Sequence, residues 1–201
     1  MTENNKPTIA GLLLVPDFID REQERRLLET VDNELWSSEL KRRVQHYGYR
    51  YDYKSRAVRS ECYLGPLPDW LAELAVGLVE RGVMPEVPDQ VIVNEYMPGQ
   101  GIAAHVDCPP CFGEHIASLS LGSQCLMEFT SLDKAERGTV PLPGRSLLAL
   151  RGAARYGWKH AIPPRQSDSI GGRRVPRGRR VSLTFRKVIL AQGDGNLPSS
   201  C

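Results

Sequence analysis

Arg180-Val181-Ser182-Leu183-Thr184-Phe185-Arg186 alternates without a fault. On an extended chain Val181, Leu183 and Phe185 fall to one side, and Arg180, Ser182, Thr184 and Arg186 to the other. A period of two predicts a strand. In a barrel, the polar side can be the ligand-filled interior. Two guanidiniums there need anionic partners, because an unpaired buried charge is very costly. A dicarboxylate supplies two, and arginine grips a carboxylate through paired N–H bonds that lysine cannot offer. Standing alone, the heptapeptide reads equally well as a basic strand face in solvent.

Two stretches upstream bear on that choice. Asn94-Glu95-Tyr96-Met97-Pro98-Gly99 ends a strand running from Gln90, with Pro98-Gly99 as the turn. Asn94 and Tyr96 share one strand face, where an amide and a phenol can donate to carboxylate oxygens. His105-Val106-Asp107 follows, again with i, i+2 spacing that points both side chains one way if the segment is a strand. With His160 from a distant strand they make two imidazoles and one carboxylate. That set holds Fe(II) on one side and leaves positions open for a cosubstrate and O₂. His-x-Asp alone is common by chance, but the chain has only 4 His.

Taken in order, Asn-x-Tyr-x-Pro-Gly, His-x-Asp, a distant His and Arg-x5-Arg, this chain resembles the AlkB family of Fe(II)/2-oxoglutarate-dependent dioxygenases over roughly residues 8 to 190. The branch it is most similar to contains the AlkB domain of the transfer-RNA wobble-uridine hydroxylase. Arg42-Arg43-Val44-Gln45-His46-Tyr47-Gly48-Tyr49, Pro98-Gly99-Gln100-Gly101-Ile102, Ser118–Ser123 and Arg145–Leu148 carry that likeness. The resemblance implies that His105, Asp107 and His160 are catalytic ligands of Fe(II). It implies that Arg180, helped by Tyr96, pairs with the distal carboxylate of 2-oxoglutarate, with Arg186 and Asn94 near the chelating carboxylate. It implies an α+β fold: a double-stranded β-helix, or jelly roll, with N-terminal helices backing one sheet and a nucleotide-recognition lid. The implied reaction is oxidation of a substrate C–H by O₂, with 2-oxoglutarate converted to succinate and CO₂. On an N-alkyl group this dealkylates the base; on an ordinary carbon the hydroxyl persists, as in wobble-uridine hydroxylation. One departure bears on the substrate. Many base-repairing members carry an acidic residue shortly after His-x-Asp, and here Cys108-Pro109-Pro110-Cys111 stands there.

Charge suggests the partner. The net charge is only +2, yet residues 41–59 hold Lys41, Arg42, Arg43, Arg50, Lys54, Arg56 and Arg59 against Asp52. A second basic run occupies 165–187. Two basic clusters beside one active site suggest a face for a polyanion, namely single-stranded DNA or RNA, including transfer RNA. Tyr47, Tyr49, Tyr51 and Tyr53 alternate between these cations. A hairpin would place all four rings on one face to stack a base. Arg42, Arg43, Tyr47, Tyr49, Arg50 and Tyr51 are therefore the candidate substrate-binding residues. The competing reading packs the tyrosines in the core. A reading from another class, a non-catalytic nucleic-acid-binding module, keeps the basic faces but has no need of the triad.

At 201 residues the chain reads as one domain, 8–190, with a polar, disordered segment at 1–7 and a tail at 191–201. It has no cationic-then-apolar leader and no membrane-length apolar run, so the expectation is a cytoplasmic monomer, nuclear if eukaryotic. The 5 Cys form no disulfide framework. Cys108-x-x-Cys111 reads as free thiols on a loop in preference to a redox pair or half a zinc site. Ile9–Val15 predicts a strand, Asp20 caps a helix to about Asn33 with Gln23 completing a capping box, and Pro68 to Arg81 a second helix ended by Gly82. Strands are expected over 90–96, 102–106, 115–121, 124–130, 145–151, 156–161 and 181–188. Residues 163–179, rich in Gly and Arg, are expected to be a long mobile loop.

Overall fold

The structure is a computed structural model and describes residues 9–190. The segments expected at 1–7 and 191–201 lie outside the described residues. Strand β12 (Arg180–Val188) runs through the middle of the larger sheet, hydrogen-bonded to β3 (Gln90–Tyr96) on one side and β5 (Phe112–Gly122) on the other. Antiparallel pairing sets Arg180 opposite Tyr96 and Gly122, and Ser182 opposite Asn94 and Ser120. The sheet continues through β8 (Leu147–Leu150) to β1 (Leu12–Val15), and beyond β3 to β2 (Val44–Tyr47), giving the order β1-β8-β5-β12-β3-β2.

The alternation of β12 sorts this sheet into two faces. Val181, Leu183 and Phe185 pack with Val91, Val93, Ala117 and Leu119 against α1 (Arg21–Asn33) and α2 (Asp69–Glu80). Both helices start and stop where local chemistry dictates. Asp20 Oδ1 accepts from the Gln23 amide at 2.8 Å while the Asp20 amide donates to Gln23 Oε1 at 3.0 Å, satisfying two free N-terminal donors at once. Gly82, at φ +68, ends α2, and the Val83 N–H returns to the Leu78 carbonyl at 2.9 Å. Leu71, Ala75 and Leu78 form the buried stripe of α2.

The opposite face meets a second sheet, β4 (Ile102–His105), β9 (Trp158–Ile162), β6 (Cys125–Ser131) and β7 (Arg137–Leu142), in the order β4-β9-β6-β7. Tyr96, Ile116, Leu148 and Leu150 pack across the interface on Met127, Phe129, Trp158 and Ile162. The layers are thus helices, large sheet, small sheet: a jelly roll with N-terminal helices behind one sheet. Among the described residues no helix is long and apolar enough to cross a membrane.

Two expectations fail. The Gly/Arg-rich stretch at 163–179 is no loose loop: it contains a hairpin of β10 (Ser167–Ile170) and β11 (Arg173–Pro176). Gly171 and Gly172, at φ +58 and +75, form its two-residue turn, the geometry that matches strand twist. Buried Asp168 anchors the hairpin, accepting two bonds from Arg177 at 2.6 and 2.7 Å and one from the Leu126 N–H at 3.1 Å. The four tyrosines do not share a face either. Gly48, at φ +75, breaks the strand after Tyr47, and a Cβ there would lie 1.8 Å from the Asp89 carbonyl oxygen.

Candidate metal and cosubstrate site

The register of β4 against β9 sets His105 directly opposite His160. Asp107 is not on the strand, because β4 ends at His105. A turn aims it instead, and the turn is held by Arg155 on α3 (Gly152–Tyr156), a guanidinium only 2% exposed. Arg155 Nη1 donates to the Asp107 carbonyl at 2.7 Å, Nη2 to the carbonyls of Cys108 and Phe112 at 3.3 Å, and Nε to that of Gly113 at 3.3 Å. The result is that Asp107 Oδ1 lies 3.3 Å from His105 Nε2 and 4.0 Å from His160 Nε2. The three ligating atoms all fall within 4.8 Å of one another.

The surroundings fix the chemical state of this triad. His105 Nδ1 is 2.8 Å from the Ala103 carbonyl, which can only accept, so Nδ1 donates there and Nε2 is the nitrogen turned to the site. Burial pushes His160 down to about 4 against the opposing pull of Asp107, leaving a neutral imidazole. For Asp107, burial alone would raise the carboxyl. Arg186, His105 and His160 outweigh it and hold the group well below the usual carboxylate range. Arg186 Nε donates to Asp107 Oδ2 at 3.0 Å and Nη1 to Gln90 Oε1 at 3.2 Å, so one carboxylate oxygen is tied back and the other faces the two imidazoles. Two imidazole nitrogens and one ionised oxygen in such a cluster fit a divalent transition metal with open positions.

A cavity of about 840 Å³ opens onto the triad. The polar face of β12 lines it with Arg180, Ser182, Thr184 and Arg186, beside Asn94 and Tyr96 from β3. Arg180 is 3% exposed. Its Nη2 donates to Ser120 Oγ at 2.8 Å, but Nε and Nη1 have no partner. A buried guanidinium with two unspent donors facing a cavity fits a carboxylate ligand. Tyr96 lies beside it, the guanidinium 5.4 Å from the ring centre. Asn94 Oδ1 accepts from Arg42 Nε at 2.8 Å.

The candidate substrate residues divide. Arg42 and Tyr51 line the cavity. Arg43 does not: it stacks on Trp36 and pairs with Glu95. Arg50 pairs with Glu39. Tyr47 faces the helices, edge-on to Trp70, and Tyr49 packs on Tyr63 at 5.0 Å between ring centres. Lys41, Tyr53 and Arg56, from the same basic and aromatic stretch, line the cavity too, and so does Lys159, which the sequence did not single out. The alternation of tyrosines could have pointed to Tyr53; nothing local in the sequence marks Lys159 or the buried Arg155. Cys108 and Cys111, expected as free thiols, are bridged, with Cα atoms 5.2 Å apart.

Comparison with known proteins gives the family and the fold. The profile of the 2OG-Fe(II) oxygenase superfamily matches residues 19–186. A Xenopus tropicalis protein named tRNA (carboxymethyluridine(34)-5-O)-methyltransferase alkbh8 is 40% identical over 95% of this chain and 34% of its own length. An Arabidopsis thaliana protein, alkylated DNA repair protein ALKBH8 homolog, is 38% identical over 96% of this chain and 61% of its own. The chain thus spans about a third of the first relative and under two thirds of the second. An uncharacterised protein of Acanthamoeba polyphaga mimivirus is 36% identical over 89% of this chain and 85% of its own. The solved structure of OsALKBH1 shares the fold, with a TM-score of 0.68 at 17% identity, covering 88% of this chain and 96% of that one.

Proposed function

Because this chain belongs to the 2OG-Fe(II) oxygenase superfamily, with AlkB homologues among its relatives, we propose that it oxidises a C–H group on a base of single-stranded nucleic acid. It is an Fe(II)/2-oxoglutarate-dependent dioxygenase with O₂ as the oxidant. One observation carries the substrate class. Among the described residues, Lys41, Arg42, Arg56 and Lys159 line the cavity with no carboxylate in ion-pair distance, and Asp107 is the acid that lines it. Four unneutralised cations around one opening suit a phosphate backbone.

When bound, iron and 2-oxoglutarate supply the oxidising equivalent at the substrate carbon and leave succinate and CO₂. The chain's own residues do the positioning. His105, Asp107 and His160 would hold the ion. Arg180 would take the far carboxylate of 2-oxoglutarate through Nε and Nη1, with Tyr96 beside it. Arg186 keeps one oxygen of Asp107 occupied, so the other keeps its aim. Tyr51 and Tyr53 set two rings into the cavity, 5.2 Å apart and edge-on, as a wall for an unstacked base.

The first reading of the product is oxidative dealkylation of an N-alkylated base. The second is stable hydroxylation of a transfer-RNA wobble uridine. The cysteine pair standing where base-repairing relatives carry an acid favours it, as does the likeness to proteins named for transfer-RNA modification. Mass spectrometry of methylated DNA and RNA oligonucleotides and of whole transfer RNA, after incubation with Fe(II) and 2-oxoglutarate, separates them. Loss of the alkyl carbon marks the first and retention of one added oxygen the second. Turnover of 2-oxoglutarate with no change in any nucleic acid would sink the substrate class.

A further inference from the structure

We infer that Cys108 and Cys111 form a redox-active dithiol–disulfide site that takes a thiol reductant and tethers the cavity-lining segment 50–59 to the metal-ligand turn when reduced. Cys108 directly follows the ligand Asp107 and lines the cavity. Opposite the pair stands Arg56, whose backbone sits at φ +55, a conformation that a side-chain-bearing residue keeps only when something holds it. Its carbonyl oxygen is 3.3 Å from Cys108 Sγ and 3.5 Å from Cys111 Sγ. A bridged sulfur carries no proton, so in the disulfide these are contacts without hydrogen bonds. Once reduced, the same two sulfurs each carry a donor aimed at the same acceptor.

The frame of the site is built to survive the change. Pro109 and Pro110 fix two φ angles between the cysteines, and the amides of Cys111 and Phe112 both return to the Cys108 carbonyl at 3.2 Å. Arg155 clamps the carbonyls on either side of the pair. The backbone is therefore held at bridging distance by bonds that do not involve sulfur. Reduction lets the two sulfurs part from bonding distance and gives each a proton on the side of Arg56. The sulfurs are also unequal: Cys108 is half-buried and reachable from the cavity, Cys111 only 5% exposed. A thiolate of a dithiol reductant attacks Cys108 Sγ, the S–S bond breaks, and Cys111 leaves as a thiolate and takes a proton. The reductant's second thiolate then attacks the mixed disulfide and frees Cys108 as a thiol. Two electrons pass to the protein, and the reductant departs as its own disulfide; a low-mass disulfide drives the reverse.

The inference depends on neither the substrate nor the metal, so its test needs neither. The intact protein is prepared with dithiothreitol and, separately, with glutathione disulfide, and alkylation followed by peptide mass spectrometry reads the state of each cysteine. Cys108 and Cys111 should convert together and reversibly. Hydrogen exchange then reads the tether at the amides of Asp52 and Ala57, which bond to each other's carbonyls at 3.0 and 3.4 Å within the tethered segment. These should exchange about three- to tenfold more slowly in the reduced protein, the worth of one modest hydrogen bond. Joint substitution Cys108→Ser and Cys111→Ser keeps a donor and should resemble the reduced protein under both conditions. Cys108→Ala with Cys111→Ala should resemble the oxidised one. Independent or irreversible conversion of the two cysteines, equal exchange in the two wild-type forms, or a serine variant that still responds to reductant would overturn the assignment.

Discussion

Replacing Arg180 by methionine should move two measurements in opposite directions. The guanidinium is 3% exposed, spends one N–H on Ser120, rests on the Tyr96 ring, and has no carboxylate partner among the described residues. Without ligand it is a buried, uncompensated charge, so an apolar side chain of similar length should leave the ligand-free protein at least as stable as the wild type. With ligand the balance reverses. Removing one partner of a buried ion pair costs roughly 3–5 kcal/mol, which is about two to four orders of magnitude in Kd for 2-oxoglutarate. Anaerobic calorimetric titration with Fe(II) present measures that directly. Thermal unfolding gives the complement: ligand at 100 times its Kd stabilises the wild type by about 2.7 kcal/mol and should do almost nothing for Arg180→Met. Arg180→Lys should recover only part of the affinity, since a point charge replaces a fork. An unchanged isotherm for Arg180→Met, or a ligand-free variant that unfolds several degrees early, would show that the arginine is structural and the cosubstrate bound elsewhere.

Three further outcomes are expected. His105→Ala, Asp107→Ala and His160→Ala should each abolish iron-dependent turnover with circular dichroism unchanged, because an open site has no spare ligand; full activity in Asp107→Ala would refute the triad. Tyr51→Ala and Tyr53→Ala should lower activity per folded molecule on a single-stranded substrate by more than any loss of stability explains. Tyr47→Ala should instead lower stability in denaturant unfolding with activity per folded molecule unchanged, since its ring packs, partly buried, against the helix-side core. Burial, with help from Arg50 and Arg186, pushes His46 down to about 4 from 6.5. The folded protein therefore refuses a proton that the unfolded chain accepts. That stability is complete above about pH 6.5 and is lost as the pH falls toward 4, by up to about 3 kcal/mol. His46→Phe should flatten that part of the stability–pH curve; an identical curve would refute it.

Much of this was legible in the residues, for reasons that differ from element to element. The Asp20–Gln23 capping box and the β12 alternation are local chemistry, and both appear where the pattern puts them. That His105 and His160 belong to one cluster with Asp107 was readable, yet the strand spacing offered for Asp107 is not what aims it; Arg155, from 48 residues downstream, does that. No sequence pattern announces a buried arginine whose partners are four main-chain carbonyls. The Gly/Arg run at 163–179 misled because composition was weighed over turn chemistry: Gly171-Gly172 is a hairpin signal. The basic clusters misled in a third way. Arg43, Arg165 and Arg179 are neutralised by acids 37 or more residues away and Arg50 and Arg177 by acids 11 and 9 away, and only folding separates them from the cations at the cavity.

The crossing of β4 and β9 has a mechanical side. β4 is the outermost strand of its sheet and joins β9 through Ile102↔Ile162 and His105↔His160, with an irregularity in between. Its residues also form a wall of the cavity. An ion gripped by His105 and His160 would rivet the seam where main-chain pairing is thinnest. Loading iron would then also fasten the chamber that receives the substrate, and removing it would free that wall along with the reagent.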